Sequence, residues 1–583
     1  MYIAVVQNNP TVGAIRQNAK AAIEAIETLS ASPYPPDLVI FPAYAMTGTP
    51  VKGLQLSEAF ALEILETTHT VIDKAALPTL IGTMMPQPVP DEQTFLCESE
   101  VLYCRYGEGG PLGFVNLNNK WDSEEYYSAV SLSIDGHRVS ILLDDYPQPT
   151  DDLSDSEIVI MMLAKEYQGT NTMFTSSEQI GYLRSIARKN EVWLVVANLV
   201  GAQDVDVFDG ASIVVAPDGS IVSAATAFGE GVITCNLDLE ESPTKPREGK
   251  SAKGGSEHLV RPLLPYEADW KAIELFIRDY VHKNGFTDVV LGLSGGIDSA
   301  ITAVLACDAL GAKHVHGVMM PGPYSTPGSI DDSRKLANNL GIDTLNMPID
   351  GPLKEIDLLS KKAIGQGGSD LARQNVQPRI RMVYLMHISN TFDWLVLNTS
   401  NKSETAMGYS TLYGDSAGAI TPLGNIYKTD VYGLAHWRNE RKQIIPPEIL
   451  DKAPSAELYE GQCDQDTLPP YEILDRILRL HIEEGLGVDQ IMEYAARDQG
   501  EDELDHQLVE KVLAAVRAAE FKRRQEPLAP TLGYMDICLD RDWPITNGFR
   551  DHHRDTLFDP HLVDYSGIAG GWDKPEDWDF LAN

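Results

Sequence analysis

The sequence predicts an α/β protein of two unlike units, and three observations carry that reading. Residues 1–245 alternate short apolar runs with amphipathic stretches, residues 246–265 lose all periodicity, and residues 266–550 begin as a regular strand–helix repeat. At 583 residues the chain is also too long for one core, so two units and a tail are expected from length alone.

Within the first unit, residues 2–7 form an apolar run that suits a strand, and 20–29 (KAAIEAIETL) carries helical spacing. Further strands are expected at 38–41, 80–84, 139–143, 158–162, 193–197, 212–216 and 232–237, several of them beside turn signals such as DGH and PDGS. So many strands predict two sheets, or one large mixed sheet, covered by helices. The stretch ESPTKPREGKSAKGGSEHLVRPLLP (241–265) is rich in Pro, Gly, Ser and Lys and reads as a linker. Beyond it, strand 288–293 precedes helix 299–310, and strand 315–321 precedes helix 329–340. Strand 343–349 then leads through a long helix near 371–390 to strand 393–399. Short crossovers of this kind dictate a doubly wound parallel sheet with helices on both faces, and such sheets bind ligands beyond the carboxyl ends of their strands. Residues 551–583 have no periodicity and read as a C-terminal tail.

Composition excludes several functions. Against 46 Lys and Arg stand 85 Asp and Glu, a net charge of −39. That balance argues against nucleic acid or an anionic membrane surface as a partner, and it obliges any anionic substrate to find local basic groups. The six cysteines are scattered without a C-x-x-C pair, which suits a reducing compartment and speaks against structural zinc. With no basic leader and no apolar run of transmembrane length, a cytoplasmic location is expected.

The chemistry concentrates in DVVLGLSGGIDSA (288–300). Here a strand runs into Ser294, Gly295, Gly296, Ile297, Asp298 and Ser299, and a helix starts at once. Glycines let backbone approach phosphate oxygens, the helix start offers unpaired N–H groups, and the serines add hydroxyl donors. Asp298 is out of place in a simple anion site, but it fits one where magnesium lies between carboxylate and phosphate. No G-x-x-x-x-G-K-[ST] occurs, so this is not a Walker loop.

SGGxDS resembles the signature of the ATP pyrophosphatases, which split ATP into AMP and pyrophosphate while adenylating a carboxyl or carbonyl oxygen. The blocks NTSNKSETAMGYSTLYGDSAGAITPLGNIYKTDVY (398–432), QNVQPRIRMVYLM (374–386), KAPSAELYEGQCDQDTLPPYEILD (452–475), EFKRRQEPLAP (520–530) and WPITNGFR (543–550) resemble those of NAD synthetase, in the family's order. The resemblance implies an adenine nucleotide alpha-hydrolase-like fold and ATP-dependent amidation of deamido-NAD through an adenylated nicotinate. It implies that the loop 294–299 holds ATP, that the catalytic Asp298 and Glu404 share Mg2+, and that Thr399 and Lys428 bind ATP. Asn375, Glu404, Asp415 and Lys522 match positions that bind deamido-NAD. One departure stands out: MPGPYST (320–326) has Pro323 where relatives often carry Arg, so a basic contact to phosphate is missing there or supplied elsewhere.

Residues 1–245 resemble the nitrilase-like amidase domain of two-domain NAD synthetases, which implies an α-β-β-α sandwich. DLVIFPAYAMTG (37–48) and LVGAQDVDVFDGASIVVAPDGS (199–220) carry the resemblance together with the N-terminal strand. Amidases of this kind use a Glu base, a Lys and a Cys nucleophile, whose places fall on Ala43, Phe114 and Leu143. None of these side chains can do that chemistry. The expectation is therefore a degenerate pseudo-glutaminase domain on an ammonia-using synthetase. Its ammonia is free or delivered by a separate glutaminase or other ammonia donor. Two alternatives stand beside it: a glutamine-hydrolysing enzyme with non-standard residues, for which Tyr44, Glu124, Asp144 and Asp145 are the candidates, and a non-catalytic regulatory homologue. The resemblance also implies a homo-oligomer, at least a dimer, with substrate bound near the shared interface.

Overall fold

The computed structural model describes residues 1–88, 95–105, 108–112, 129–143, 153, 155–169, 177–239, 263–497, 504–533, 535–541 and 543–546. Its first unit contains β1 (Tyr2–Gln7), β2 (Leu38–Ile40), β3 (Thr79–Pro88), β4 (Phe95–Arg105) and β5 (Glu108–Pro111). After them come β6 (Ala129–Ile134), β7 (His137–Leu143), β8 (Ile158–Leu163), β9 (Trp193–Asn198), β10 (Val200–Gln203), β11 (Asp206–Asp209), β12 (Ile213–Val215), β13 (Ile221–Ala224) and β14 (Gly231–Asn236). They make two six-stranded mixed sheets, ordered β14-β1-β2-β3-β4-β5 and β13-β12-β9-β8-β7-β6, with β10 and β11 as a separate hairpin. The expectation of two sheets therefore holds and the single large sheet does not.

Period-two alternation explains why both sheet faces are apolar. Along β1, Ile3 and Val5 face the other sheet, with Leu38, Ile40, Ile141, Ile160 and Val195 in the same cluster. Val6 points the other way, toward Ala19, Ile23 and Ile26 of α1 (Ile15–Ser30). The second helix, α2 (Glu58–Lys74), covers the same sheet, and α3 (Ser177–Asn190) covers the other. The result is the α-β-β-α sandwich.

The second unit begins with α4 (Pro265–Lys283) and continues as β15 (Val289–Gly292), α5 (Ile297–Leu310), β16 (Val315–Met319), α6 (Pro327–Leu340), β17 (Asp343–Asn346), α7 (Asp350–Ile364), α8 (Asp370–Phe392) and β18 (Leu395–Val396). The four strands are all parallel, in the order β17-β16-β15-β18. Strand order reverses between β15 and β18, which places a crevice at the carboxyl end of β15. The strand expected over 393–399 is only two residues long. Leu397 N–H still bonds Val290 O at 2.9 Å, but the chain then turns away, Asn398 N–H donating to Ile420 O at 2.9 Å. A helical layer follows: α9 (Lys402–Met407), α10 (Lys428–Arg441), α11 (Pro447–Asp451), α12 (Tyr471–Ile482), α13 (Val488–Arg497), α14 (His506–Ala518) and α15 (Glu520–Arg523). It has its own core around Leu474, Ile477, Val512 and Val516.

The units share a core. Tyr167, Val200, Ala202, Val207 and Phe228 pack with Ala268, Ile273 and Phe276 of α4, so the β10–β11 hairpin is the docking element. A polar knot fixes the register: buried Asp279 accepts from Asn9 Nδ2 at 2.7 Å and from Ala202 N–H at 2.8 Å. Beside it, Lys283 Nζ donates to Asn9 Oδ1 at 2.7 Å and Ala202 O at 2.8 Å.

Candidate active site

Gly296 caps α5 without any side-chain bond, so N–H groups of the first turn face the crevice. Gly295 has φ +77°, and a β-carbon there would collide with the Ser329 carbonyl oxygen. Only glycine meets both demands. The loop is braced from within: Ser294 Oγ lies 3.0 Å from Ser299 Oγ, and Gly296 N–H donates to Ser294 Oγ at 3.2 Å. An anion cradle is thus preformed at the switch point of the sheet.

Across the crevice, Lys428 Nζ donates to Asp298 Oδ2 at 2.6 Å and to Glu404 Oε1 at 3.3 Å. Lys428 is 2% exposed, whereas both carboxylates keep 18% exposure. Burial alone would push the Lys428 ammonium down, yet Asp298 and Glu404 more than offset it and hold its pKa up. Burial pushes the Glu404 carboxyl up to about 8, with Lys428 pulling it down and Asp298 adding to the rise. Asn401, the N-cap of α9, completes the group: its Oδ1 accepts Glu404 N–H at 3.0 Å and its Nδ2 donates to Asp298 Oδ1 at 2.9 Å.

One cavity collects Ser294, Gly296, Ile297, Asp298, Ser299, Thr399, Glu404, Asp415 and Lys428. Asn375 on α8 and Lys522 on α15 do not line this cavity but are bonded to the 408–411 loop beside it. Thr411 Oγ1 donates to Asn375 Oδ1 at 3.1 Å, and Asp415 accepts Thr411 N–H at 2.6 Å. Lys522 Nζ donates to the carbonyls of Gly408 and Ser410, each at 2.7 Å. Burial raises the Asp415 carboxyl and lowers the Lys522 ammonium. Asn401 joins the site without having been singled out above, although N-K-S-E is a capping-box signature that ties its amide to Glu404. Arg381, Lys452 and Glu457 line the same cavity, and no local pattern marks them.

Among the described residues no three His, Cys, Asp or Glu side chains are arranged to hold a metal by themselves. The residues nonetheless fit magnesium. Asp298 and Glu404 are brought together by one ammonium, so a hard cation bound beside them on the cavity side would gain two carboxylates and take its remaining oxygens from phosphate and water.

In the first unit Ala43 and Leu143 are buried in the core between the sheets. Phe114, Glu124, Asp144 and Asp145 lie outside the described residues. Tyr44 is held at φ +53° with its hydroxyl 3.3 Å from Ser99 Oγ. Cys97, Cys104 and Cys235 are buried, and burial pushes the Cys104 and Cys235 thiols up to about 12 and about 11. Such thiols are suppressed as nucleophiles.

Residues 269–526 match the family described as NAD synthase, and residues 158–244 match the carbon-nitrogen hydrolase family. The glutamine-dependent NAD(+) synthetase of Aquifex aeolicus is 35% identical, over 94% of this chain and 100% of its own. That of Rhodobacter capsulatus is 42% identical, over 61% of this chain and 64% of its own. Among solved structures, the glutamine-dependent NAD+ synthetase of Acinetobacter baumannii in complex with ADP superposes with a TM-score of 0.66 at 26% identity, over 95% of this chain and 99% of its own. The Cytophaga hutchinsonii enzyme, at TM-score 0.77 and 17% identity over 94% and 98% of the two chains, shares the fold. Relatives that match over their whole length are named as glutamine-dependent, which overturns the reading of a degenerate, pseudo-glutaminase domain on an ammonia-using enzyme. The hydrolase match also lies in this same chain, which replaces the separate glutaminase expected as donor. On 35% identity across all of a relative's length, the chain belongs to the glutamine-dependent NAD(+) synthetase family.

Proposed function

We propose that this protein amidates deamido-NAD to NAD at the expense of ATP, releasing AMP and pyrophosphate, with glutamine as the nitrogen source. The observation that carries the synthetase half is the convergence of Asp298, Glu404 and Lys428 on the open end of the 294–299 cradle. The cradle N–H and hydroxyl groups bind and orient the phosphates. Asp298 and Glu404 would hold magnesium, which when bound would neutralise phosphate charge. Lys428 holds both carboxylates in place and keeps a fixed positive charge beside the α-phosphate, where negative charge grows as the nicotinate oxygen attacks. Asn375, Asp415 and Lys522 position deamido-NAD from the 408–415 side, and ammonia then displaces AMP from the adenylated carboxyl.

For the nitrogen half, support comes from relatives that match from end to end and are glutamine-dependent. Hydrolysis would then rest on residues other than those at 43 and 143, because an alanine and a leucine offer neither base nor nucleophile. The experiment is NAD formation by the purified full chain from deamido-NAD, ATP and magnesium, with either ammonia-free glutamine or ammonium. NAD and glutamate appearing together from glutamine support both halves. NAD from ammonium alone overturns the nitrogen half and leaves the synthetase half standing; no NAD from either source overturns both.

A further inference from the structure

Three cations line the cavity: Arg381, Lys428 and Lys452. Lys428 is committed to Asp298 and Glu404, and Arg381 Nε donates to the Met320 carbonyl at 3.1 Å. The loop from β16 into α6, MPGPYST (320–326), has no basic residue. Lys452 stands opposite that loop. Its ammonium donates to Ser329 Oγ and lies 3.1 Å from Glu457 Oε1.

Glu457 is seated among unusual neighbours. Besides Lys452, its carboxylate accepts from Ser329 Oγ at 2.5 Å, from Thr326 Oγ1 at 3.2 Å and from Thr326 N–H at 3.3 Å. Two hydroxyls, a backbone N–H at a helix start and an ammonium form a donor set that suits phosphate oxygens as well as a carboxylate. The cluster also adjoins the cradle, because the Ser329 carbonyl is the group that would collide with a side chain at Gly295. Ser329, Lys452 and Glu457 all line the same cavity, and the lysine and glutamate keep 29% and 15% exposure.

We propose that Lys452, with Ser329 and Thr326, receives the β- and γ-phosphate end of the nucleotide, and that Glu457 is a placeholder carboxylate which those phosphates displace. This rests on the ATP-dependent reading above. In a chain of net charge −39, Glu457 is an anion that this site has to release before a triphosphate enters. Exchange of one anion for another keeps Lys452 paired throughout, so its ammonium is never left desolvated and alone. Lys452 thereby supplies the cation that the 320–326 loop lacks at Pro323.

The test is calorimetric titration of the full chain, in magnesium, with inorganic pyrophosphate, ATP and AMP. Lys452→Met should weaken pyrophosphate and ATP by about tenfold or more, the loss of one charge-assisted contact, and leave AMP unchanged. Unchanged AMP binding also reports that the variant is folded. Lys452→Arg should recover most of the loss, and Glu457→Gln should tighten pyrophosphate. The inference is overturned if Lys452→Met leaves pyrophosphate affinity unchanged or weakens AMP equally. It is overturned too if Glu457→Gln weakens pyrophosphate, since Glu457 would then be holding Lys452 in place, or if the unsubstituted chain binds no pyrophosphate. Deamido-NAD is absent from these titrations. A chain that makes no NAD but binds pyrophosphate through Lys452 therefore refutes the proposed function alone, and NAD synthesis with Lys452-independent pyrophosphate binding refutes this inference alone.

Discussion

Lys428 is an ammonium in a nearly closed site, and such a charge persists only when its partners hold it there. Replacing it by Met would leave Asp298 and Glu404 facing each other without a cation. We expect Lys428→Met to lose about 3–5 kcal/mol of stability, the usual effect of breaking a buried pair, and to abolish pyrophosphate release from ATP. Melting temperature and a pyrophosphate assay check the two. A variant as stable as the parent would show that the carboxylates are not held by this lysine. A second buried acid, Asp209 in the first unit, has no such partner. Its Oδ1 accepts from Asn198 Nδ2 at 3.2 Å, its Oδ2 is unpartnered, and burial pushes its pKa from 3.8 up to about 8. The folded chain therefore keeps a proton that the unfolded chain releases above pH 4, and stability from this group falls as pH rises from about 4 to about 8. The full span corresponds to an upper limit of about 6 kcal/mol. Asp209→Asn should flatten the dependence of melting temperature on pH over that window and make the protein more stable at pH 8. An unchanged slope would mean that Asp209 is ionised in the fold at neutral pH.

At the scale of elements, α9 shows how local chemistry serves a distant site. A helix of six residues cannot form from propensity alone. It exists because Asn401 and Glu404 close a capping box, and because Ala406 is enclosed in the helical layer. The same Asn401 amide reaches Asp298, 103 residues away in sequence. Asn401→Ala should cost about 1 kcal/mol for the lost cap and also free Asp298 to move. Asn401→Ser should restore the cap but not the amide donor. We expect thermal stability to recover in the Ser variant while NAD synthesis does not; recovery of both would remove Asn401 from the site. What was legible in the sequence follows the same logic. The apolar runs of β15 and β16 and the glycines after β15 carry their structure locally, so the doubly wound sheet and the cradle could be read directly. The Asn401–Asp298 bond, the Ser329–Glu457 bond and the curtailed β18 depend on groups far apart in the chain, which no local pattern encodes. The β10–β11 hairpin was missed for a related reason: its residues are apolar because they dock on α4, not because they sit inside a sheet.

At the scale of the molecule, the shared core and the Asn9–Asp279–Lys283 knot fix one unit upon the other, with Asp279 buried and Lys283 only 14% exposed. The opposite side of the second unit is less complete. Helix α7 has no buried residue along its 15 positions, and Leu358, Leu359 and Ile364 are 60%, 54% and 66% exposed. Beside it on α8, Leu371, Val383 and Phe392 are 64%, 66% and 54% exposed, and every residue of the edge strand β17 is exposed. An isolated helix of that length is marginal in water, and its stability normally comes from burying a face. Exposed apolar side chains in this number on two neighbouring helices are what an interface between molecules would cover. We therefore expect a second copy of the chain to cover α7 and α8, in a dimer that stabilises both helices. Leu359→Glu with Val383→Glu should place desolvated charges in that contact and give monomers in light scattering. The intact core should keep those monomers folded, with α7 exchanging its amide hydrogens faster than in the dimer. If the parent chain is already monomeric and α7 is nonetheless protected from exchange, packing within one chain suffices and the dimer is refuted.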